Sequence, residues 1–237
     1  MRAITLSFSQ MLRQMKRDPM LLAVLFTPVL IGLLFRLGIP FAEKQLTDYL
    51  TLDYVISPYY RLLDLLLIIF TPTMFNLVTA MVVLEEADER LISYLAITPL
   101  GKTGYLFSRF GFTGIISLAI SILLFAFFHI ADIAVSMLLG LAIISAVQGI
   151  SSAMLIVTLS ANKVEGMAVG KFTSLFTLGA LAPFFIDGKA QYIFSVLPSF
   201  WLAKAVQKSD YIFLGIAVLI AVVWIALLAR KFTRKVF

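Results

Sequence analysis

Four stretches of this 237-residue chain, 65–84, 110–131, 133–162 and 211–229, run for 19 to 30 residues without one Asp, Glu, Lys or Arg. Each, coiled as a helix, can cross the roughly 30 Å hydrocarbon core of a bilayer, which takes about 20 apolar residues. Residues 19–35 form a fifth run at the short end of that range. A sixth, 172–186, reaches it only by including Val169 and Gly170, with the Lys171 ammonium snorkelling to the interface. A bilayer offers no partner for an unpaired peptide group, so helices are the natural reading of such runs. The predicted fold is an all-α polytopic membrane protein, one transmembrane domain over 1–237. Its six crossings fall at about 19–39, 62–84, 105–128, 133–160, 168–186 and 211–229.

The chain is 61% hydrophobic and 14% charged, where a soluble domain is roughly 45–50% apolar. The two longest polar intervals, 36–61 and 187–210, are too short to bury a core of their own. With no cysteine, thiol catalysis, disulfides and thiolate metal sites are excluded. The first 18 residues lack the apolar core and small-residue cleavage site of a signal peptide. The net charge of +6 follows the membrane and does not form a nucleic-acid face. Thirteen of the 19 Lys and Arg, among them Arg13, Lys16, Arg17, Arg230, Lys231, Arg234 and Lys235, fall in segments on one side of a six-span topology. The excess of basic residues marks that side as cytoplasmic and puts both termini there.

Before the first crossing, Ile4, Phe8, Met11, Leu12 and Met15 recur at helical spacing opposite Arg13, Gln14, Lys16 and Arg17. Residues 1–18 therefore read as an amphipathic helix lying on the membrane, from which Asp18-Pro19 turns the chain inward. Tyr49, Tyr54, Tyr59 and Tyr60 are aromatic anchors of the outer interface. Residues 191–206 are apolar and aromatic but too short to cross twice. They are expected to form a pair of short re-entrant or interfacial helices on the outer side.

Enzyme chemistry finds little to work with. Asp64 and His129 lie near outer helix ends and Asn162 near an inner one, leaving Asn76 and Gln148 as the deep polar groups. The sequence holds no H-x-x-x-H, no G-x-S-x-G, no paired intramembrane carboxylates and no phosphate-binding loop, and neither catalytic residues nor a metal site are predicted. For a lone amide in a span, an interhelical hydrogen bond that fixes packing competes with a place on a substrate path. On the second reading Thr73, Asn76 and Thr79 share one side of the second span and, with Gln148 and Ser152 of the fourth, line a path between two permeases.

The most informative polar segment follows the second span. It comprises Glu85, Glu86, Asp88 and Glu89, then Leu91, Tyr94 and Leu95, then Thr98 and Pro99. It reads as a short amphipathic cytoplasmic helix with its carboxylates in the first turn, where the helix dipole favours them, and an apolar face of Leu91, Tyr94 and Leu95. Its run E-E-x-D-E-x-L-x-x-x-L-x-I-T-P-L resembles the coupling helix of ABC-2 type permeases, the membrane subunits of ATP-binding-cassette exporters. The N-terminal amphipathic helix is similar to that family's elbow helix. Asn162, Lys163, Glu165 and Gly166 stand where small drug-export permeases, including the fluoroquinolone export permeases, carry N-K-V-E-G. Arg90-Leu91 and Ser93 depart from the Gly-Thr and Glu that many members have there.

The resemblance implies a prokaryotic plasma-membrane permease that pairs with a second permease, identical or related. Both would stand above separate ATPase subunits that bind ATP and Mg and drive the coupling helix. With few charged groups in the spans, the cargo is expected to be apolar or amphipathic: a drug, a peptide antibiotic or a lipid-like molecule. The competing reading is a six-span substrate-binding subunit of a vitamin or metal uptake system, which needs no acidic cytoplasmic helix.

Overall fold

In the computed structural model, which describes residues 2–236, every regular element is a helix. Met1 and Phe237, the outermost residues of the expected domain, lie outside the described residues. Five continuous helical stretches are long and apolar enough to cross a membrane: Pro19–Leu50, Ser57–Asp88, Gly101–Phe128, Val135–Leu159 and Ile212–Lys235.

Helix α1 (Arg2–Arg17) buries Ser7, Met11 and Met15 and leaves Leu6 and Leu12 exposed. The turn after it is set by Asp18, whose carboxylate accepts from the amides of Met20 (2.9 Å) and Leu21 (3.3 Å) ahead of Pro19. This is an N-cap followed by the residue best suited to the first helical position. Helix α2 (Pro19–Leu33) then continues through a π turn, Leu34–Gly38, into α3 (Ile39–Leu50). The polar interval that begins at residue 36 is thus helical as far as Leu50. The loop beyond it is held by Glu43, which accepts from the amides of Val55 (2.9 Å) and Ile56 (2.5 Å).

Helix α4 (Tyr60–Asp88) is the axis of the bundle and packs against α2 and four later elements: α7 (Phe112–Phe128), α8 (Val135–Leu159), α9 (Lys163–Thr173) and α12 (Pro198–Lys208). Pro72 lies inside α4 and has no N–H to give the Ile68 carbonyl. Ser121 of α7 supplies the missing donor at 3.1 Å, so the helix keeps its course without an orphaned buried acceptor. At the C-terminal end of α7, the fully buried Asp64 of α4 accepts from the amides of Ile130 (3.1 Å) and Ala131 (2.8 Å), fixing the tight turn into α8.

Two short helices, α5 (Leu91–Ile97) and α6 (Gly101–Leu106), join α4 to α7, with a π turn at Phe107–Gly111. The expected single crossing at 168–186 is instead three pieces: α9, α10 (Leu175–Leu178) and α11 (Ala182–Phe185). Pro183 cannot continue a preceding helix. Gly179 lies so close to the Ser199 hydroxyl, 2.5 Å from the position a Cβ would take, that a side chain there must displace its neighbour. The broken segment still follows α4 from end to end, with Gly166 against Leu84, Gly170 near Leu77 and Phe185 stacked on Tyr59.

A 3-10 helix, Gly188–Val196, and α12 form the pair of short helices expected between the last two crossings. The 3-10 helix has no buried residue, whereas α12 lies within the protein. Nearly all of α12 is buried, and Trp224, midway along α13 (Ile212–Val236), donates to the Val196 carbonyl at 2.8 Å, so the tip of this hairpin reaches the middle of the bundle.

The apolar core is in two parts. One, near α1, gathers Met81, Leu84, Ile156 and Phe232; the other, at the opposite end, gathers Ile68, Leu138, Leu141 and Leu202. The middle turns of α4 and α8 between them are rich in Ser, Thr and amide side chains.

Candidate functional site

The ion pairs among the described residues gather at the α1 end of the bundle. Glu85, Glu86 and Asp88 belong to the last turn of α4, not to the first turn of a separate helix. That end of a helix carries partial negative charge and disfavours carboxylates, so they need cationic partners, and two clusters provide them.

In the first cluster Glu86 points inward and forms a bidentate pair with Arg109, whose Nε donates at 3.0 Å and whose second arm holds the other carboxylate oxygen. The Tyr105 hydroxyl donates to the same carboxylate at 2.7 Å. The remaining Arg109 arm reaches back to α1, donating to the Ser7 carbonyl and hydroxyl at 3.0 Å each. The side chains of Arg109 and Glu86 are 1% and 5% exposed. At such burial a charge is tolerable only when paired and fully hydrogen-bonded. The cluster locks α1, the end of α4 and the start of the α6–α7 helix into one body. Arg109 sits in the π turn, whose extra residue per turn re-aims it relative to a regular helix.

In the second cluster Lys163 donates to Asp18 (2.9 Å) and Glu85 (2.7 Å), and its backbone amide donates to Asp88 (3.3 Å). The Lys163 hydrogen bond holds the Asp18 carboxyl below the usual carboxylate range, outweighing its partial desolvation. Burial pulls the Lys163 ammonium down, but hydrogen bonds to Glu85 and Asp18 leave it above its ordinary value. Asn162 caps α9 by accepting from the Glu165 amide at 2.9 Å, and Glu165 reaches back to the Ala161 amide at 2.6 Å, an arrangement close to a capping box. Gly166 allows α9 to press onto α4, since a Cβ there would lie 2.3 Å from Leu84 Cδ1. At the same end, Lys235 of α13 donates to the carbonyls of Val157, Thr158 and Ser160, closing the C-terminus of α8.

Helix α5 projects from this clamped base. Arg90, in a left-handed conformation (φ 58°), separates it from α4. Ile92 is buried in the core and Leu95 packs against it, while Leu91, Tyr94 and Ile97 are 41%, 65% and 84% exposed. The exposed apolar face is therefore Leu91, Tyr94 and Ile97. Leu95, expected on that face, points inward. Thr98 ends the helix, donating to the Leu95 carbonyl at 2.7 Å and accepting from the Leu100 amide at 3.3 Å beside Pro99. Glu89 stays outside both clusters and, with Glu85, faces Gln10, Arg13, Gln14 and Arg17 of α1 across a polar cleft of ≈ 670 Å³.

The polar residues considered for a substrate path are all buried within this single chain. Thr73 and Thr79 donate to their own helix at Ile69 (2.8 Å) and Phe75 (3.2 Å), and Asn76 donates to Pro72 at 2.9 Å. Gly149 fits against Pro72 and Asn76, drawing α8 close to α4. Among the described residues, Asn76 Oδ1, both amide atoms of Gln148 and the hydroxyls of Ser145 and Ser152 have no protein partner. Buried groups left in that state cost about 1–3 kcal/mol each.

The site is thus a helical bundle with a clamped, acidic helix end. The family described as "Fluoroquinolones export permease protein Rv2686c-like" matches residues 11–229. The chain belongs to this family. It is similar to the fluoroquinolones export permease proteins Rv2686c and MT2760 of two Mycobacterium tuberculosis strains, H37Rv and CDC 1551. It is 23% identical to each, over 92% of its own length and 89% of theirs. No solved structure gives a significant match. Membership in this permease family, with the five long apolar helices, makes the chain a membrane protein of transport.

Proposed function

We propose that this chain is the membrane subunit of an ATP-driven exporter that moves an apolar or amphipathic molecule. Separate ATPase subunits, carrying ATP and Mg, would dock on α5. The observation behind this is α5 itself: three apolar side chains, Leu91, Tyr94 and Ile97, held out from the bundle on a base clamped by two charged clusters. A large apolar patch in water needs a partner. A rigid base lets a push on that patch reach α1, α4 and α7 together.

In this reading the α1 end faces the cytoplasm, and α9 to α11 make a sixth, broken crossing beside α4. Broken helices inside membranes are tolerated where neighbouring protein covers them, and α12 does so here: Ser199 donates to the Phe176 carbonyl and Gln207 to Pro183 at 2.7 Å. A second permease, identical or related, completes the transporter, and helix tilting under the ATPase alternates access to the substrate. Asn76, Gln148 and Ser152, with Thr73 and Thr79, lie at the α4–α8 contact that such tilting would open, where their unpaired atoms could meet substrate or water.

The test is substrate-stimulated ATP hydrolysis by the complex of this chain with its ATPase, reconstituted in proteoliposomes. Replacing Leu91, Tyr94 and Ile97 together by Ser is expected to leave membrane insertion intact and abolish the stimulation. Undiminished stimulation would refute α5 as the coupling element.

A further inference from the structure

The buried Ile92 of α5 forms part of the wall of a cavity of ≈ 150 Å³, bounded also by the ends of α4 and α8 and by Lys235 of α13. That is roughly five times the ~30 Å³ a water molecule occupies in the liquid, and below the ~300–1,000 Å³ of drug-sized pockets. It suits a ligand of about five heavy atoms, the size of a tetrahedral oxyanion. The polar side chains that line it are Arg90, Ser93, Ser160 and Lys235. All four are hydrogen-bond donors, and none is a carboxylate.

Ser160 is the residue that asks for a ligand. It is fully buried, its amide donates to the Ile156 carbonyl at 3.0 Å and its carbonyl accepts from Lys235 at 2.5 Å, but its hydroxyl has no partner in the protein. A buried hydroxyl left unpaired is costly unless a group from outside the chain meets it. Lys235 spends its N–H groups on the carbonyls of Val157, Thr158 and Ser160, which offsets the partial negative charge of the α8 C-terminus. Glu165 of α9, held on the Ala161 amide at 2.6 Å, acts on the Lys235 charge without lining the cavity. Arg90 is left to supply the uncompensated positive charge. It is exposed, forms no ion pair among the described residues, and is held at the corner between α4 and α5 by its left-handed backbone (φ 58°).

We infer that this cavity binds a phosphate oxyanion, with the Arg90 guanidinium at its mouth and the Ser160 hydroxyl at its floor. Arg90 presents a planar fork of donors matched to such a group, and the Ser160 hydroxyl gains its missing partner. A bound oxyanion would tie the root of α5 to the ends of α8 and α13. This is a ligand site separate from the exposed face of α5 and independent of what docks there.

The test uses the full-length chain alone in dodecyl maltoside micelles, which carry no phosphate. Binding of inorganic phosphate is measured by equilibrium dialysis at constant ionic strength in chloride. Saturable binding of one phosphate per chain is expected. Arg90→Asn, which keeps a residue tolerant of the left-handed conformation, should weaken it roughly ten- to a hundredfold, the worth of a hydrogen bond to a charged group, and Arg90→Lys should weaken it less. Ser160→Ala should weaken it roughly two- to tenfold. Phosphate should also slow hydrogen exchange of the α5 amides. Displacement of the phosphate by dioctanoylphosphatidic acid, and not by dioctanoylglycerol, would support the oxyanion site and give its source as a lipid headgroup; no displacement would support it with the free anion as ligand. Absence of saturable phosphate binding, affinity unchanged in both Arg90→Asn and Ser160→Ala, or α5 exchange that phosphate leaves unaltered overturns the inference. No ATPase is present, so either result leaves the coupling role of α5 to its own test.

Discussion

Removing Arg109 should damage the protein far more than removing both members of its pair. In Arg109→Ala the Glu86 carboxylate keeps only the Tyr105 hydroxyl and stays in a site where 5% of its side chain is exposed. In Glu86→Ala the guanidinium, 1% exposed, keeps Ser7, Ser108 and the face of the Tyr105 ring at 5.1 Å. Stripping one partner from a buried ion pair costs about 3–5 kcal/mol, largely from the charge left behind, whereas replacing both by apolar groups of similar size is often neutral. Each single variant is therefore expected to lose about 3–5 kcal/mol, and Arg109→Met with Glu86→Leu to fall within about 2 kcal/mol of wild type. Reversible unfolding in mixed micelles, followed by tryptophan fluorescence of Trp201 and Trp224, gives all three values. If the losses of the single variants simply add in the double variant, the two groups do not interact. Single losses below about 0.5 kcal/mol would show that the pair is not buried.

The same reasoning applies at Pro72. Ser121→Ala removes the hydroxyl that donates to the Ile68 carbonyl and should cost about 1–3 kcal/mol by the same unfolding measurement, whereas Ser121→Thr, which keeps the hydroxyl, should cost less. The Lys163 clamp predicts a pH window. Asp18 is held below its unfolded value, so its contribution is present above about pH 4 and fades as pH falls through the lower folded value. Lys163 is held above its own, so its contribution is present below about pH 10 and fades as pH rises through the higher one. The groups are partly exposed, so each effect is about 1 kcal/mol or less. Stability profiles of wild type and Lys163→Met should separate between those limits and converge outside them; a constant separation across pH would contradict the pairing.

Much of this architecture was legible in the sequence because a bilayer leaves so few solutions. The uncharged runs located the five long helices. Asp18-Pro19 marked the turn after α1, and the acidic segment with Thr98 and Pro99 located α5. Other features carry no periodic signal. The π turns at Leu34–Gly38 and Phe107–Gly111 each shift the register by one residue, but in segments where apolar residues occur on every side the shift leaves no mark. The break in 168–186 depends on α12 being there to pack against Gly179. The carboxylates of 85–88 were assigned to the start of a new helix because their grouping suits a first turn. In the structure α4 runs through them, and Arg109 and Lys163 supply the opposite charge. One of the three residues expected on the α5 face differs, because Leu95 turns toward the core while Ile97 does not. Arg109, Tyr105 and Ser7 were missed as a cluster: they are separate polar residues, with Ser7 and Arg109 102 positions apart, and only tertiary packing brings them to Glu86.

The central claim, that ATPase subunits dock on α5, is tested most directly by native mass determination of the chain purified in mild detergent after co-expression with its ATPase. Wild type should carry two ATPase subunits per two permeases, and the variant with Leu91, Tyr94 and Ile97 replaced by Ser should run as permease without ATPase. A wild-type chain that retains no ATPase, or a variant that retains both copies, would contradict the account.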